Sequence, residues 1–297
     1  MVRVAITGVS GLLGKYLAMS SPMGVDVVGI SRSPLKLPIR GVSEHIVGDI
    51  SEASIIERIR DLRIDALIHA AAEGRVDVVE GRLDEFRSQN VFASERLATF
   101  AKSTSIPFVH ISSNAVFGGR ETAYDDWDAH DPINDYGRLK VEAERAVSAV
   151  NPSALILRPI LMYGWAPPGA RPNPVSAWIQ SLRNGEPIRV VSDVYSEPLY
   201  AADCARVIWK GLEQELSGPI NVSGGERLSL YSLAQEVARV FQLDPDMIVP
   251  AQSSDFPSLA PRPSSTSFTL GRVRNELGLD VMNPPEGLHD LLSQESA

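Results

Sequence analysis

The sequence has a single cysteine, Cys204, among its 297 residues. That excludes an internal disulfide and any cluster of thiolate metal ligands. Cys204 falls in an apparently helical run, 201–212, and reads there as a small buried apolar side chain. The five histidines show no metal-ligand spacing, so no metal site is expected. Long apolar runs are missing as well; none approaches the ~20 residues that cross a bilayer. The opening MVRVAITG runs as a strand into a glycine turn rather than as a signal peptide, so a cytoplasmic protein with no membrane partner is expected. Positive charge is scarce: 28 Lys and Arg face 37 Asp and Glu, for a formal net charge of −9. With no basic stripe, nucleic acid is not an expected partner. An acidic protein that binds a phosphorylated ligand needs local cations, which draws attention to individual arginines.

What is present is a composition able to bury a core without staples: 44% hydrophobic and 22% charged. Near-continuous apolar runs at 2–7, 26–31, 45–48, 66–71, 108–112 and 154–158 read as strands covered on both faces. Helical segments lie between them at 12–19, 54–62, 84–104 and 136–150. Strand–helix alternation predicts a doubly wound α/β fold with a parallel sheet. The second half loses this rhythm. Helices are expected near 175–184, 201–212 and 232–241, with short strands at 188–191 and 220–222 and loops at 165–173 and 253–267. This half reads as a smaller lobe closing over a ligand.

The first strand ends in Thr7-Gly8-Val9-Ser10-Gly11-Leu12-Leu13-Gly14, with glycines spaced G-x-x-G-x-x-G. Gly8 suits the tight turn, Gly11 a close approach to a diphosphate, and Gly14 the packing of the helix on the sheet. The helix then aims its positive end at the phosphates. This is a dinucleotide site, with a plain strand-to-helix turn as the competing reading. The second strand ends Ser31-Arg32 with no acid for a ribose 2′-hydroxyl, and these residues suit a 2′-phosphate. NADP is therefore favoured over NAD, the other reading being that Arg32 is a solvated loop charge. Asp49 follows the third strand, placed to accept from the adenine amino group or to cap a helix.

Tyr136 and Lys140 form Y-x-x-x-K at a helix start, which puts both on one face. A nearby ammonium is expected to lower the phenol from its ordinary pKa of about 10, making it a proton donor and acceptor. Ser113 follows the fifth predicted strand, at the sheet edge where open α/β folds bind ligands. There it can hydrogen-bond a carbonyl or alkoxide oxygen.

Thr7–Gly14, Asp49-Ile50, His69–Ala72, Ser113 with Val116–Gly118, Tyr136/Lys140 and Leu157-Arg158-Pro159 together resemble the extended short-chain dehydrogenase/reductases over nearly the whole chain. Within that group the chain looks most like the dTDP-4-dehydrorhamnose reductase branch. Ser112–Gly119 resembles its S-T-D-Y-V-F-x-G segment, and Ala260–Pro263 its A-R-R-P segment. The resemblance implies a Rossmann NAD(P)-binding domain over 1–164, with segments of roughly 187–222 returning to it, and a substrate lobe over 165–297. It implies Ser113, Tyr136 and Lys140 as catalytic residues. It implies Gly8, Ser10, Gly11, Leu12, Leu13, Gly14, Ser31, Arg32, Asp49, Ile50, Ala70, Ala71, Ala72, Asn90, Ser112 and Pro159 around the cofactor, with Tyr136 and Lys140. Asn90 matches a helical asparagine that supports the lysine through backbone and water. Ser113, Asn114 and Arg262 are implied to meet a nucleotide-sugar substrate, Arg262 at its phosphates.

The expected activity is NAD(P)H-dependent reduction of a nucleotide-linked 4-keto-deoxysugar. A nucleotide-sugar 4-epimerase, and a non-catalytic NADP-binding subunit like that of methionine adenosyltransferase, are the alternatives. The chain departs from the reductases in having Asn114-Ala115 for Asp-Tyr. Dehydratases of the wider family carry Asp-Glu there, which Asn114-Ala115 cannot replace in acid/base work. The helices at 84–104 and 136–150 either pair across a twofold axis, giving a homodimer, or simply cover the sheet.

Overall fold

In a computed structural model, which describes residues 2–256 and 260–295, the apolar runs become one parallel sheet. Residues 257–259 of the expected 253–267 loop, and the last two residues of the expected lobe, lie outside the described residues. The sheet contains β1 (Val2–Thr7), β2 (Val25–Ser31), β3 (Val42–Val47), β4 (Ala66–His69), β5 (Phe108–Ile111) and β6 (Leu155–Pro159). The rest of the chain contributes β7 (Met162–Tyr163), β8 (Ile188–Val191), β9 (Tyr195–Ser196), β10 (Leu199–Tyr200), β11 (Gly218–Val222), β12 (Leu228–Ser229) and β13 (Ile248–Ala251). Of these β11 completes the large sheet, whose order is β11-β6-β5-β4-β1-β2-β3. The others pair as β7–β10, β9–β12 and β8–β13. All pairings in the large sheet are parallel. The fold is therefore an α/β Rossmann-like doubly wound sheet with a C-terminal lobe. The order reverses at β1/β4, and a crevice opens there beyond the strand ends.

Helices cover both faces, which is why the central strands carry apolar residues on both sides. α1 (Leu12–Met19) packs beside a helix from the second half, α8, on one face. α2 (Ser54–Asp61), the short α3 (Val76–Val79) and α4 (Leu83–Arg87), α5 (Ala93–Ser103) and α6 (Asp135–Val150) belong to the first half. Ile55, Leu97, Ala101 and Val147, from α2, α5 and α6, bury the opposite face against Ala5, Val28 and Ile156. The second half supplies α7 (Pro174–Arg183), α8 (Ala201–Glu213), α9 (Leu230–Phe241), α10 (Gly271–Asn275) and α11 (Pro284–Ser293). Cys204 sits fully buried in α8, as its sequence setting implies.

One predicted element differs in kind. The helix expected over 84–104 is α4, a π-helical turn at Ser88–Phe92, and α5 in succession. A π turn admits an extra residue and displaces backbone carbonyls from regular pairing. Here it places Asn90, 1% exposed, where its side chain grips a neighbouring loop.

Candidate active site

The turn after β1 is built by close approach. Gly8 has φ +75°, and a Cβ there would fall 2.8 Å from the backbone nitrogen of Ala71. No L side chain fits that conformation and that gap. The result is a cavity of about 200 Å³ lined by Gly8, Ser10, Gly11, Ile30, Ser31, Arg32, Gly48, Asp49, Ile50, Ala70, Ala71, Ala72 and Gln89. A backbone cradle at a helix N-terminus suits a dinucleotide diphosphate. Most of the sequence-predicted cofactor residues meet in this wall; Leu12 opens instead on the larger cavity described below. Leu13, Gly14, Asn90, Ser112, Lys140 and Pro159 line neither cavity.

Some predicted residues are otherwise engaged. Ser31 donates to the carbonyl of Ser33 at 2.7 Å and meets His45 Nε2 at 2.8 Å. Asp49 accepts from the backbone of Ser51 at 2.8 Å, a local turn rather than a cap, since α2 is preceded by Ala53, and it still lines the cavity. Burial pushes its carboxyl up, but the Ser51 hydrogen bonds and nearby Arg32 outweigh that and leave it below its ordinary value. A second cavity of about 340 Å³ continues past Arg32 to Ser33, Lys36 and the 167–170 loop of the lobe. Lys36 escaped the sequence reading. The available signal was a second cation four residues after Arg32.

The catalytic candidates meet at the ends of β5 and α6. Ser113 caps a 3₁₀ turn over Asn114–Val116, its hydroxyl accepting from Ala115 at 3.1 Å. Asn134 caps α6, accepting from Gly137 at 2.8 Å, and its amide donates to the carbonyl of Pro261 at 2.9 Å. Gly137 lets the two turns touch: a Cβ would fall 2.1 Å from the Ala115 carbonyl oxygen. Tyr136 thereby comes beside Ser113, near enough for the Ser113 hydroxyl to favour its phenolate, while that hydroxyl donates a long bond to Asn114 Oδ1 at 3.4 Å. Lys140 lies one turn on, 2% exposed, donating to the carbonyl of Ile111 at 3.0 Å, with its ammonium 5.8 Å from the Tyr136 ring centre.

The electrostatics differ from the sequence expectation. Burial raises the Tyr136 phenol to about 12, with the charge of Glu73 adding to the rise and the Ser113 hydrogen bond opposing it. Burial also lowers Lys140 to about 8, against the pull of Glu144. The ammonium does not set the phenol; desolvation of the neutral-to-anion step does.

Asn90 accepts from the backbone of Glu73 at 2.9 Å and donates to its carbonyl at 3.1 Å. Its own carbonyl accepts from Ser94 at 2.9 Å. In this geometry its side chain fixes the loop that carries Glu73 and Gly74. Arg262 is bonded to Asp77 at 2.6 Å, at the mouth of the same cleft.

Ser113, Asn114, Ala115 and Tyr136 open on a cavity of about 640 Å³ that also meets Gly11, so the dinucleotide cradle and this space adjoin. The far wall comes from later in the chain: Leu161, Met162, Arg171, Val194, Tyr195 and Arg262 among others. The lining is largely apolar, carries Arg171 and Arg262, and includes no Asp or Glu among the described residues. In a protein of net charge −9 that local reversal favours an anionic ligand. Among the described residues no group of three or more His, Cys, Asp or Glu could hold a metal ion, and no helix is long and apolar enough to cross a membrane.

Residues 2–296 match the family described as the RmlD substrate binding domain. The chain belongs to that family. It is 28% identical over 295 residues to the probable low-salt glycan biosynthesis reductase Agl14 of Haloferax volcanii, covering 98% of this chain and 97% of that one. It is 28% identical over 294 residues to methionine adenosyltransferase 2 subunit beta of Danio rerio, covering 95% and 87%. The structure of dTDP-4-dehydrorhamnose reductase from Bacillus anthracis in complex with NADP superposes with a TM-score of 0.88 at 27% identity, over 99% of this chain and all of that one. The fold is thus that of NAD(P)-dependent oxidoreductases.

Proposed function

We propose that the protein reduces the 4-keto carbon of a nucleotide-linked deoxysugar with NADPH. The observation that carries this reading is the juxtaposition of Ser113 and Tyr136, with Lys140 one turn on, at a cavity that also holds two arginines and, among the described residues, no acid. The Gly8–Gly14 turn and the α1 N-terminus would hold the cofactor diphosphate, and Asp49 would accept from the adenine amino group. Arg32 and Lys36 take the 2′-phosphate. The bound nicotinamide supplies hydride.

The chain's own residues do the rest. Ser113 and Tyr136 donate hydrogen bonds to the ketone oxygen, where preorganised donors gain most as negative charge develops. Tyr136 passes its proton from Oη to that oxygen. Lys140 would orient the cofactor ribose. Arg171 and Arg262 hold the substrate diphosphate, Arg262 exchanging its bond to Asp77 for it. The apolar walls at Val76, Leu161 and Met162 suit a deoxygenated carbon.

Tyr136 at about 12 is protonated at neutral pH, as a proton donor for reduction must be. The test is NADPH oxidation, followed optically, against a panel of nucleotide-linked 4-keto-6-deoxysugars, with NADH in parallel. Oxidation with one sugar and a preference for NADPH supports the reading. NADPH binding without oxidation by any sugar refutes it and favours the regulatory role that the relative from Danio rerio suggests.

A further inference from the structure

Tyr136, Lys140 and Glu144 stand at four-residue intervals on α6 and share one face. Glu144 is 3% exposed, and a carboxylate that deep requires compensation. Arg158, on β6, supplies it with two hydrogen bonds, Nε to Oε1 at 2.9 Å and Nη2 to Oε2 at 2.7 Å. His130 Nε2 lies 3.1 Å from Oε2. The hydroxyl of Ser112, next to Ser113, donates to Oε1. Arg158 is held in turn by the carbonyl of Asp126 at 2.9 Å.

We propose that Glu144 is a positioning residue for the reductase site: it ties the Ser112–Ser113 strand end to the face of α6 that carries Tyr136, and its negative charge keeps the buried Lys140 ammonium charged. The inference rests on the reading of Ser113, Tyr136 and Lys140 given above. The tie joins residues 32 apart in sequence and sets the approach of the two hydroxyls. The charge matters because the hydrogen bond of Lys140 goes to a neutral carbonyl. The groups facing Lys140 from β4 and β5 are His69 and His110, and burial holds both neutral, His69 at about 3. From α6 the neutral Tyr136 faces it. Arg158 on β6 is spent on Glu144. Glu144 is the acid whose field opposes the desolvation of Lys140.

The test compares wild type with Glu144→Gln and, because that change leaves Arg158 buried without its counter-charge, with the doubly neutral Glu144→Gln/Arg158→Gln. NADPH affinity is measured by fluorescence titration from pH 6 to 9.5 on protein whose fold is checked by circular dichroism. Turnover of the 4-keto sugar is measured alongside. At pH 6 both variants should bind NADPH within about threefold of wild type. Their alkaline loss of affinity should begin about one pH unit lower, which makes binding roughly fivefold weaker near pH 8 and roughly tenfold weaker by pH 9. A purely structural role would lower affinity by the same factor at every pH, and alkaline limbs that superpose on wild type would overturn the inference. The titration needs no turnover, so it judges Glu144 separately from the reductase reading, which falls only if wild type binds NADPH and reduces no ketosugar.

Discussion

Lys140 should weaken the fold it serves. Its amine has an ordinary pKa of 10.5 and sits at about 8 in the folded site. At 1.36 kcal/mol per pH unit, holding that charge in the core costs about 3 kcal/mol. Substituting Lys140→Met removes the charge and keeps a flexible side chain of similar length. It also leaves the carbonyl of Ile111 without its donor, a loss of about 1 kcal/mol. The net expectation at pH 7 is a variant more stable by about 2 kcal/mol, or roughly 3 °C in a chain of this size. The sign of the pH dependence follows from the lowered value. Below pH 8 both folded and unfolded lysine are charged, and the full cost applies. Between about 8 and 10.5 the unfolded chain binds the extra proton, so the stability of wild type rises with pH. Above 10.5 both states are neutral and the cost is gone. The advantage of the variant should therefore shrink steadily from pH 8 to 10.5. Urea unfolding of both proteins at half-unit pH steps measures the difference, and shared titrations cancel in it. A Lys140→Met protein less stable than wild type at pH 7, or an offset independent of pH, would refute the reasoning. Loss of ketone reduction in the same variant would make Lys140 a residue kept for chemistry at the expense of stability.

Tyr136→Phe should lower turnover by about 10²–10⁴-fold with NADPH affinity nearly unchanged, as stopped-flow and binding titrations would record; equal turnover would remove Tyr136 as the proton donor. Arg32→Ser combined with Lys36→Ser should weaken NADPH binding by roughly a hundredfold and leave NADH binding nearly unaffected, since each guanidinium or ammonium contact to a phosphate contributes about 1.5 kcal/mol; equal losses for both cofactors would move the 2′-phosphate elsewhere. Gly137→Ala puts a methyl group 2.1 Å from the Ala115 carbonyl oxygen, so it should cost about 1–3 kcal/mol in urea unfolding and disturb the Ser113–Tyr136 contact; wild-type stability and turnover would mean the two turns do not pack as described.

The sequence carried the sheet well because its signals are local. Apolar runs of four to seven residues, each followed by an amphipathic stretch, leave little choice but parallel strands under helices, and β1, β5 and β6 lie within a residue or two of expectation. The glycine turn and the Tyr136/Lys140 spacing were legible for the same reason. What stayed hidden depends on contacts between distant segments. The π turn in the 84–104 helix has no periodicity signature; it shows only once Asn90 is seen gripping Glu73 across 17 residues. The engagement of Arg262 by Asp77 joins residues 185 apart. The expected shift of Tyr136 had the wrong sign for a similar reason. Spacing on a helix gives the distance between two groups, but their ionisation depends on how much water the rest of the fold removes. Glu144 was half legible. Its four-residue step from Lys140 stands in the sequence, yet a Glu on a helix is ordinarily solvated, and only its burial against Arg158 gives the step a chemical meaning. The portion of a site that local pattern reveals is thus the portion that touches ligand, on turns and helix faces. The portion that tunes it is assembled from β5, β6 and α6 together, and becomes visible only when the strands are in register.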